Sequence, residues 1–342
     1  MTLSVARYEG DGAEWDAFVR AAPGWTHFHL YGWRRVIERA HGHECIYLAA
    51  RDEHGRLAAI LPLVSVRSLL FGRFLVSMPF VNYGGPLGSA DGVRAVVDEA
   101  VRLARGNGSR LLELRSLEAL PIDLPVSHRK ITVMLDLVPD GPEKVLAGFR
   151  AKLRSQIRRP QKEGVTVRLG RDQVAPFFEV FARHMRDLGT PAQPRAWFEA
   201  IADEFPEDAW FGCAWIGSVP VACGAGFVWN GEFEMTWASA LSAYNAASPN
   251  MALYWAFIER AATLGLRVFN FGRCTPDSGT HRFKQQWGTR DVPLHWYQDA
   301  RAGTAGTPSP DDRAWAWGPR LWKRLPLALA TALGPRIVRG IP

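Results

Sequence analysis

The chain has 342 residues, of which 47% are hydrophobic and 22% are charged. This composition excludes a disordered protein, and the length is sufficient for two hydrophobic cores or one large one. The formal net charge of +7 favours acidic partners such as nucleic acid, anionic lipid or a phosphorylated substrate, but it does not choose among them.

Cysteine usage and the first residues bear on metal binding and location. The four cysteines form no CxxC pair and no Cys/His cluster with metal-ligand spacing, so we expect reduced thiols and no metal site. The start, MTLSVARYEGDGAEW, has neither the basic region nor the apolar region of an export signal. No apolar run approaches the roughly 20 residues that span a bilayer. A cytoplasmic protein is therefore expected.

The first half of the sequence predicts a strand, two helices and then a meander of strands. The turn that ends in Gly55 separates two of these strands, and the glycine supplies the positive φ of a hairpin. The predicted elements, in chain order, are strand Ser4–Tyr8, helices Ala13–Ala21 and Gly32–His41, strands Glu44–Arg51, Arg56–Val66 and Phe74–Met78, helix Asp91–Arg105, and strands Arg110–Leu114 and Lys130–Leu135.

The second half predicts the same order again. Its predicted elements are strand Val165–Leu169, helices Val174–Met185 and Arg195–Phe205, strands Ala209–Trp215, Val219–Val228 and Glu232–Trp237, helix Asn250–Leu264, and strands Arg267–Phe271 and Val292–Trp296. Equivalent positions lie about 160 residues apart, as Val5 and Val165 illustrate. We therefore predict two copies of one α/β unit, each with a mixed, mostly antiparallel sheet flanked by helices.

This repeated order resembles the GNAT acyltransferase fold, and a fold by itself does not define a reaction. The predicted domains are 1–138 and 165–299, joined by a basic helical linker at 139–164 and followed by a tail at 300–342. The linker sequence KLRSQIRRPQKEG places five cations on a helix that Pro160 is expected to end or kink. The cations are Lys152, Arg154, Arg158, Arg159 and Lys162.

Two interpretations of this basic segment are open. The first is a solvated linker helix. The second is a phosphate clamp, because guanidinium groups match phosphate oxygens in pairs and a cationic cluster is costly to assemble without an anion.

Several segments together resemble the FemAB family of non-ribosomal peptidyl (aminoacyl) transferases, which are twin-GNAT enzymes. The segments are LRSQIRRPQKEGV and ASPNMALYWAFIERAATLGLRVFNFGRCTPDSGTHRFKQQWG, together with PFVNYGGP at 79–86 and LGPRIVRGIP at 333–342. The resemblance covers most of the chain. It is strongest to the FemAB-related branch associated with exosortase (PEP-CTERM) and exopolysaccharide systems.

The resemblance implies a cytoplasmic enzyme that transfers an aminoacyl group from charged tRNA to an amine on a cell-wall precursor. In the family, a lysine that follows an aromatic residue lies beside the reacting carbonyl, and here this lysine is Lys284, after Phe283. Family members often carry an acid in the strand before the loop, where this chain has Asn270. The chain also has no coiled-coil arm between its halves, so both aminoacyl-tRNA and acyl-CoA stay open as donor substrates, with no tightly bound cofactor.

The chemistry of acyl transfer supports this assignment independently. A tetrahedral oxyanion needs a fixed cation or donor, and Lys284 is the best candidate. His281 is a candidate base for the amine, since its ordinary pKa of about 6.5 suits that task. Arg273 and Arg282 are candidates to hold a phosphate or carboxylate, which a helix N-terminus after Gly279 would also favour.

Aromatic and glycine residues complete the set of candidate substrate-binding groups. Phe283 and Trp287, four residues apart, share a helical face and are interpreted first as core anchors. Tyr83, Gly84 and Gly85 allow two interpretations, a close approach of the backbone to a substrate or a plain turn between strand and helix.

A CoA-dependent N-acyltransferase is the first rival hypothesis. The pyrophosphate loop of such enzymes has the form [R/Q]xxGx[G/A], and its one literal match runs from Arg7 to Gly12. That match precedes the sheet it would have to follow, so we attribute it to chance.

The tail suggests a second rival, a non-catalytic scaffold at a membrane. Trp315, Trp317 and Trp322 lie among cations and precede the apolar stretch LPLALATALGPRIV, a pattern typical of an interfacial segment on an anionic membrane. A helix packed on the second domain is the alternative. The expected partners are therefore a phosphorylated or lipid-linked envelope precursor, tRNA, and the inner membrane as a peripheral contact.

Overall fold

The computed structural model describes residues 2–68, 72–300 and 317–341. The strands are β1 (Ser4–Arg7), β2 (Glu44–Arg51), β3 (Leu57–Ser68), β4 (Gly72–Ser77), β5 (Leu87–Gly88), β6 (Leu111–Ser116), β7 (Val126–Ser127), β8 (Ile131–Asp136), β9 (Val165–Leu169), β10 (Ala209–Ile216), β11 (Val219–Trp229), β12 (Glu232–Ala240), β13 (Val268–Cys274), β14 (Arg290–Pro293) and β15 (His295–Ala300).

Helices alternate with these strands much as the periodicity of the sequence predicts. They are α1 (Gly12–Ala21), α2 (Gly32–His41), α3 (Ala90–Gly106), α4 (Pro142–Gly148), α5 (Ala151–Lys162), α6 (Val174–Leu188), α7 (Arg195–Glu204), α8 (Pro249–Thr263), α9 (Gly279–Gln285), α10 (Trp317–Trp322) and α11 (Leu327–Val338). No helix within the described ranges has both the length and the apolar character needed to cross a membrane.

The chain divides into two compact units, each built around its own sheet. The first unit contains the residues up to Arg129 and two later segments that begin at Pro293 and Pro335. The second unit contains Lys130–Val292 and Trp317–Gly334. The prediction of two α/β units with mixed, mostly antiparallel sheets is confirmed.

The sheet of the first unit has the order β1-β2-β3-β4-β6-β15-β7, and β5 pairs with β3. Strands β4 and β6 are parallel, and α3 connects them. Alternate residues of β2 face opposite sides of the sheet: Ile46 and Leu48 join the core beneath α3, and the ring of Tyr47 lies 4.9 Å from that of Trp15 in α1. Both faces are therefore covered by helices.

The sheet of the second unit has the order β14-β8-β13-β12-β11-β10-β9. Its parallel pair is β12 and β13, connected by α8. Phe233 of β12 packs 5.4 Å from Phe257 of α8, and Phe211 of β10 packs 5.4 Å from Phe177 of α6. The two units thus repeat one plan, a parallel strand pair with a crossover helix inside an antiparallel meander.

The closing strands differ from the sequence prediction. Lys130–Leu135 was expected to close the first domain and Val292–Trp296 the second. Instead, β8 pairs with β13 in the second unit, and β15 pairs with β6 in the first. The predicted boundaries 1–138 and 165–299 therefore do not coincide with the two units. The alternation of a strand indicates which of its faces is buried, but it does not identify the neighbouring strand.

The segment 139–164 is also placed differently from the expected linker. Helices α4 and α5 contact α8 and belong to the second unit. Leu153, Ile157 and Pro160 bury one face of α5 in the core of that unit. The helix continues past Pro160 and ends at Lys162.

Candidate active site

The candidate site lies where β12 and β13 separate. The two strands pair from Glu232 opposite Val268 to Glu234 opposite Asn270, and beyond that point they have no further register. Strand β12 nevertheless continues to Ala240. Because α8 connects the end of β12 to the start of β13, it begins at the edge of the sheet where β12 ends. Ligands of open α/β sheets characteristically bind at the carboxyl ends of such strands.

Asn270 organises the end of β13. It is fully buried, and its Oδ1 accepts hydrogen bonds from the Gly272 N–H at 2.8 Å and the Thr132 hydroxyl at 2.5 Å. Its Nδ2 donates to Glu232 Oε1 at 2.9 Å. Burial raises the pKa of Glu232, and Glu234 beside it is fully buried. An aspartate at 270 could not donate this bond and would add a third carboxyl group, so the amide suits this network better than the acid common in the FemAB family.

Lys284 is buried in α9 directly beside this strand end. It is 3% exposed, and its Nζ donates to the carbonyl oxygens of Gly272 at 2.6 Å and Arg273 at 3.1 Å. Burial lowers the pKa of its ammonium from 10.5 to about 8, although the nearby Cys274 and Glu234 partly oppose this shift. An ammonium has three donors, and these two bonds engage two of them. The geometry therefore holds a cation in place with one donor remaining.

The N-terminus of α9 is capped by its own chain. Ser278 Oγ accepts the N–H of His281 at 3.1 Å, and the Ser278 carbonyl accepts that of Arg282. Fewer N–H groups are therefore available to an anion than the sequence-based hypothesis assumed.

His281 braces the loop with both ring nitrogens. It is 3% exposed, and its Nδ1 accepts a hydrogen bond from the Asp277 N–H at 3.0 Å. Its Nε2 must then carry the proton, and it donates to Asp291 at 2.9 Å. Asp277 has a positive φ of 61°, a backbone conformation that this brace helps to hold. The arrangement argues against His281 as the base, because neither nitrogen is free to accept a proton.

The remaining candidates of this segment lie on its surface or in its core. Arg273 and Arg282 are exposed, and Arg282 donates to the carbonyl of Asp277 at 3.1 Å. The half-buried ring of Phe283 lies 5.1 Å from that of Tyr254, and Trp287 is fully buried. The aromatic pair anchors α9 to the core of the second unit.

The cations of α5 do not share one role. Arg154 donates to the carbonyls of Ala147 and Phe149 and so caps the preceding helix, α4. Arg158, Arg159 and Lys162 are exposed, on the face opposite the buried Leu153 side of the helix. These three form what we call the α5 cationic face.

Three candidate residues, Tyr83, Gly84 and Gly85, belong to the first unit. Packing within that unit accounts for the burial of the tyrosine and for the two glycines. Tyr83 is fully buried and packs on Phe28 with ring centroids 5.4 Å apart. The Gly84 N–H donates to the Arg115 carbonyl, and a Cβ on Gly85 would lie 2.8 Å from that oxygen. The glycines permit this close approach, and they also line a cavity of about 200 Å³.

Sequence reasoning missed a buried ion pair at the equivalent strand end of the first unit. Arg115 in β6 bonds to the fully buried Glu113 at 2.8 Å and lies 4.4 Å from the centre of the Trp296 ring. The Arg115 N–H donates to Ser77 Oγ at 2.8 Å, so the chain itself bonds to the backbone just beyond the last paired residues of β4 and β6. The charged residues of LLELRS, within a strand of core quality, were the available signal. At the corresponding end of β12 and β13, Asn270 and Lys284 bond to the Gly272 and Arg273 backbone of β13.

A cavity of about 320 Å³ lies beside the end of α9. Lys144, Arg150 and Trp287 contribute to its lining, and the buried Nε1 of Trp287 has no hydrogen-bond partner within the described residues. The sequence analysis did not single out Lys144 or Arg150, because both precede the basic segment that begins at Lys152.

The site therefore lies in a unit with a parallel strand pair that separates at one end, and part of this unit matches a known domain family. Residues 147–285 match the model of the acetyltransferase (GNAT) domain. The match includes Glu232, Asn270 and Lys284 but neither Thr132 nor Asp291. The prediction of an acyltransferase is confirmed at the level of this domain family.

Solved structures show the GNAT fold over both units. FemX aligns with a TM-score of 0.64 at 14% identity, covering 85% of this chain and 97% of that one. The L-PGS from Bacillus licheniformis aligns with a TM-score of 0.58 at 14% identity, covering 92% and 98%.

A tandem GNAT protein from the clavulanic acid biosynthesis pathway aligns with a TM-score of 0.55 at 14% identity, covering 89% of this chain and all 100% of that one. No curated protein matches the sequence. The chain thus has a twin GNAT fold similar to that of FemX, as the sequence predicted.

Proposed function

We propose that the second unit transfers an acyl or aminoacyl group to an amine on a cell-envelope or exopolysaccharide precursor, in the manner of the FemAB family. The observation that carries the proposal is the buried Lys284 ammonium at the edge where β12 and β13 separate. The sequence motifs favour the FemAB-related branch associated with exosortase (PEP-CTERM) systems.

The reaction forms one C–N bond and breaks one C–O or C–S bond. The acceptor amine attacks the carbonyl carbon of the donor, and the negative charge that develops on the carbonyl oxygen is stabilised by the Lys284 ammonium. The oxyanion then collapses and expels the tRNA 3′ oxygen or the CoA sulfur. The amine loses one proton and the leaving group gains one, so the transfer needs no other reactant.

The separated strands supply a place for an extended donor. Beyond Glu234 and Asn270 the two strands no longer pair with each other, so an extended donor can enter between them. The end of the donor that carries the acyl group would then lie near the Gly272 and Arg273 carbonyls that position Lys284. This arrangement suits both an aminoacyl ester and an acyl thioester.

An aminoacyl donor is our preferred assignment. FemX and the lysylphosphatidylglycerol synthetase L-PGS are among the similar structures, and both support aminoacyl transfer. At the one literal pyrophosphate-loop match, the Asp11 carboxylate accepts the Ala13 N–H and caps α1. A negative side chain at that helix start disfavours a second anion there.

CoA-dependent N-acyl transfer is the second candidate, because the matching domain model is that of an acetyltransferase.

A phosphorylated or lipid-linked acceptor fits the α5 cationic face, which presents three cations to solvent. Arginine pairs with phosphate oxygens through two parallel bonds, so this face suits a diphosphate.

Binding of purified protein to aminoacylated and deacylated tRNA at physiological salt, with acetyl-CoA as competitor, tests the donor. Preferential binding of the charged tRNA, undiminished by acetyl-CoA, is expected. Equal weak binding of both tRNAs together with competition by acetyl-CoA would instead establish the CoA-dependent alternative. Lys284→Met protein that binds the donor but transfers the acyl group about 10²–10³-fold more slowly would separate the enzyme from a non-catalytic scaffold.

A further inference from the structure

Helix α11 packs through its small residues and exposes two of its three leucines. Ala330 and Gly334 are buried, and a Cβ on Gly334 would lie 3.2 Å from the backbone of Ala192. Leu329 and Leu333, one helical turn apart, are 51% and 41% exposed. An amphipathic helix of a globular unit ordinarily turns its leucines to the core, so this orientation requires a reason.

The preceding helix adds to the same kind of surface. Leu321 of α10 is 60% exposed although α10 packs against α6. The segment 317–334 of the second unit contains the cations Arg320, Lys323 and Arg324 and no acidic residue. Lys323 and Arg324 are exposed. The segment therefore exposes both apolar and cationic side chains, and it contains no negative charge to repel an anion.

We propose that α10 and α11 form a docking surface for an anionic phospholipid bilayer. The exposed leucines enter the boundary between headgroups and acyl chains, and the cations lie at the level of the lipid phosphates. A helix of twelve residues is too short to span a bilayer, so α11 lies in the plane of the interface. Charge complementarity selects anionic lipid over a neutral surface. The proposal goes beyond the transfer reaction and does not depend on it.

Vesicle flotation of the full-length protein tests this surface. We expect binding to phosphatidylcholine vesicles that contain phosphatidylglycerol, and much weaker binding to phosphatidylcholine alone. Leu329→Ser/Leu333→Ser should lower the partition coefficient at least about tenfold, because two exposed apolar side chains no longer insert. Leu264→Ser is the matched control, since Leu264 is 59% exposed at the end of α8, and it should bind as the unmodified protein does.

The charge contribution is measured separately. Lys323→Gln and Arg324→Gln should each lower binding to the anionic vesicles roughly fivefold at low salt, with little effect on neutral vesicles. Circular dichroism of every variant verifies that the helices are intact.

Two results would overturn the proposal. One is equal binding of the double leucine variant and the Leu264→Ser control. The other is a dimer of the unmodified protein that the double leucine variant converts to a monomer without any effect on vesicle binding, which would assign the leucines to contact with a second copy. The transfer activity of the same variants is measured without vesicles. Neither result above changes that measurement, so it tests the proposed reaction independently.

Discussion

Lys284 differs from an ordinary surface lysine in two ways. Its ammonium is buried, and two backbone carbonyls of β13 hold it in one position. The cost of burying the charge lowers its pKa to about 8, so the group remains mostly protonated at neutral pH. A cation positioned in this way costs no reorganisation when an oxyanion develops.

Replacement of Lys284 by methionine tests this role. Lys284→Met keeps most of the side-chain volume and should lower the transfer rate by about 10²–10³-fold, as removal of a single oxyanion donor does. The melting temperature should change little, because the lost hydrogen bonds to Gly272 and Arg273 are offset by removal of a buried charge. Steady-state kinetics and thermal unfolding measure both effects.

Gln285→Met, at the exposed neighbouring position of α9, is the matched control and should retain the transfer rate. A Lys284→Met enzyme with the unmodified rate would remove the catalytic assignment. A loss of activity that merely follows a large loss of stability would indicate a structural lysine.

The pH dependence of activity and stability provides a second test of Lys284. The transfer rate should fall as pH rises through about 8, where the ammonium loses its proton. The pKa in the folded state is lower than the unfolded value of 10.5, so between these values the unfolded chain binds more protons, and this contribution to stability rises with pH. Rates corrected for donor hydrolysis, and urea unfolding at each pH, are the measurements. Lys284→Met should lack both effects.

At the scale of elements, helix α5 carries cations in two different environments. Its apolar side belongs to the core of the second unit, and Arg154 caps α4, so these positions support the fold. The side chains of the α5 cationic face are exposed to solvent instead. The phosphate-clamp hypothesis therefore now concerns this face and the exposed Lys152, whereas Arg154 supports the fold.

Charge reversal on the α5 cationic face should weaken binding of a phosphate-bearing substrate without unfolding the unit. Arg158→Glu, Arg159→Glu and Lys162→Glu should each lower affinity, and each should reduce the dependence of log affinity on log salt concentration by about one ion for a nucleic-acid ligand. Titrations at several salt concentrations measure this change. Arg195→Glu, an exposed change on α7, is the control and should leave both quantities unaltered. Equal effects of Arg158→Glu and the control would reduce α5 to a structural helix.

At the scale of the whole molecule, the exchange of closing strands determines what can fold alone. β8 lies between β13 and β14 in its sheet, so removal of β8 would leave β14 without a partner and β13 with only β12. α5, which precedes β9, also contributes to the same core. The second unit thus begins well before the internal repeat in the sequence suggests.

Two fragments distinguish the unit boundaries. Residues 130–292 should unfold cooperatively, whereas residues 165–299, the domain expected from the repeat, should not, because this fragment lacks β8, α4 and α5. Calorimetry and circular dichroism of the two fragments provide the comparison. Cooperative unfolding of 165–299 would restore the boundaries expected from the sequence.

The sequence alone determined the type and order of most elements. Several bounds, such as Glu44–Arg51 and Gly32–His41, agree at both ends with the structure, because apolar periodicity and turn residues are local properties of the chain. The internal repeat and the loop before Lys284 also follow from local patterns, so the two units and the position of the candidate site could be predicted.

Only the tertiary structure decided which strands exchange partners, which side chains meet Asn270, and that α11 exposes Leu329 and Leu333. Strand pairing and the burial of a side chain depend on residues that are distant in the sequence, and no local period records them. The environment that lowers the pKa of Lys284 has the same origin. Residue type could nominate this lysine, but the carbonyls and core residues around it come from separate elements that only the folded chain brings together.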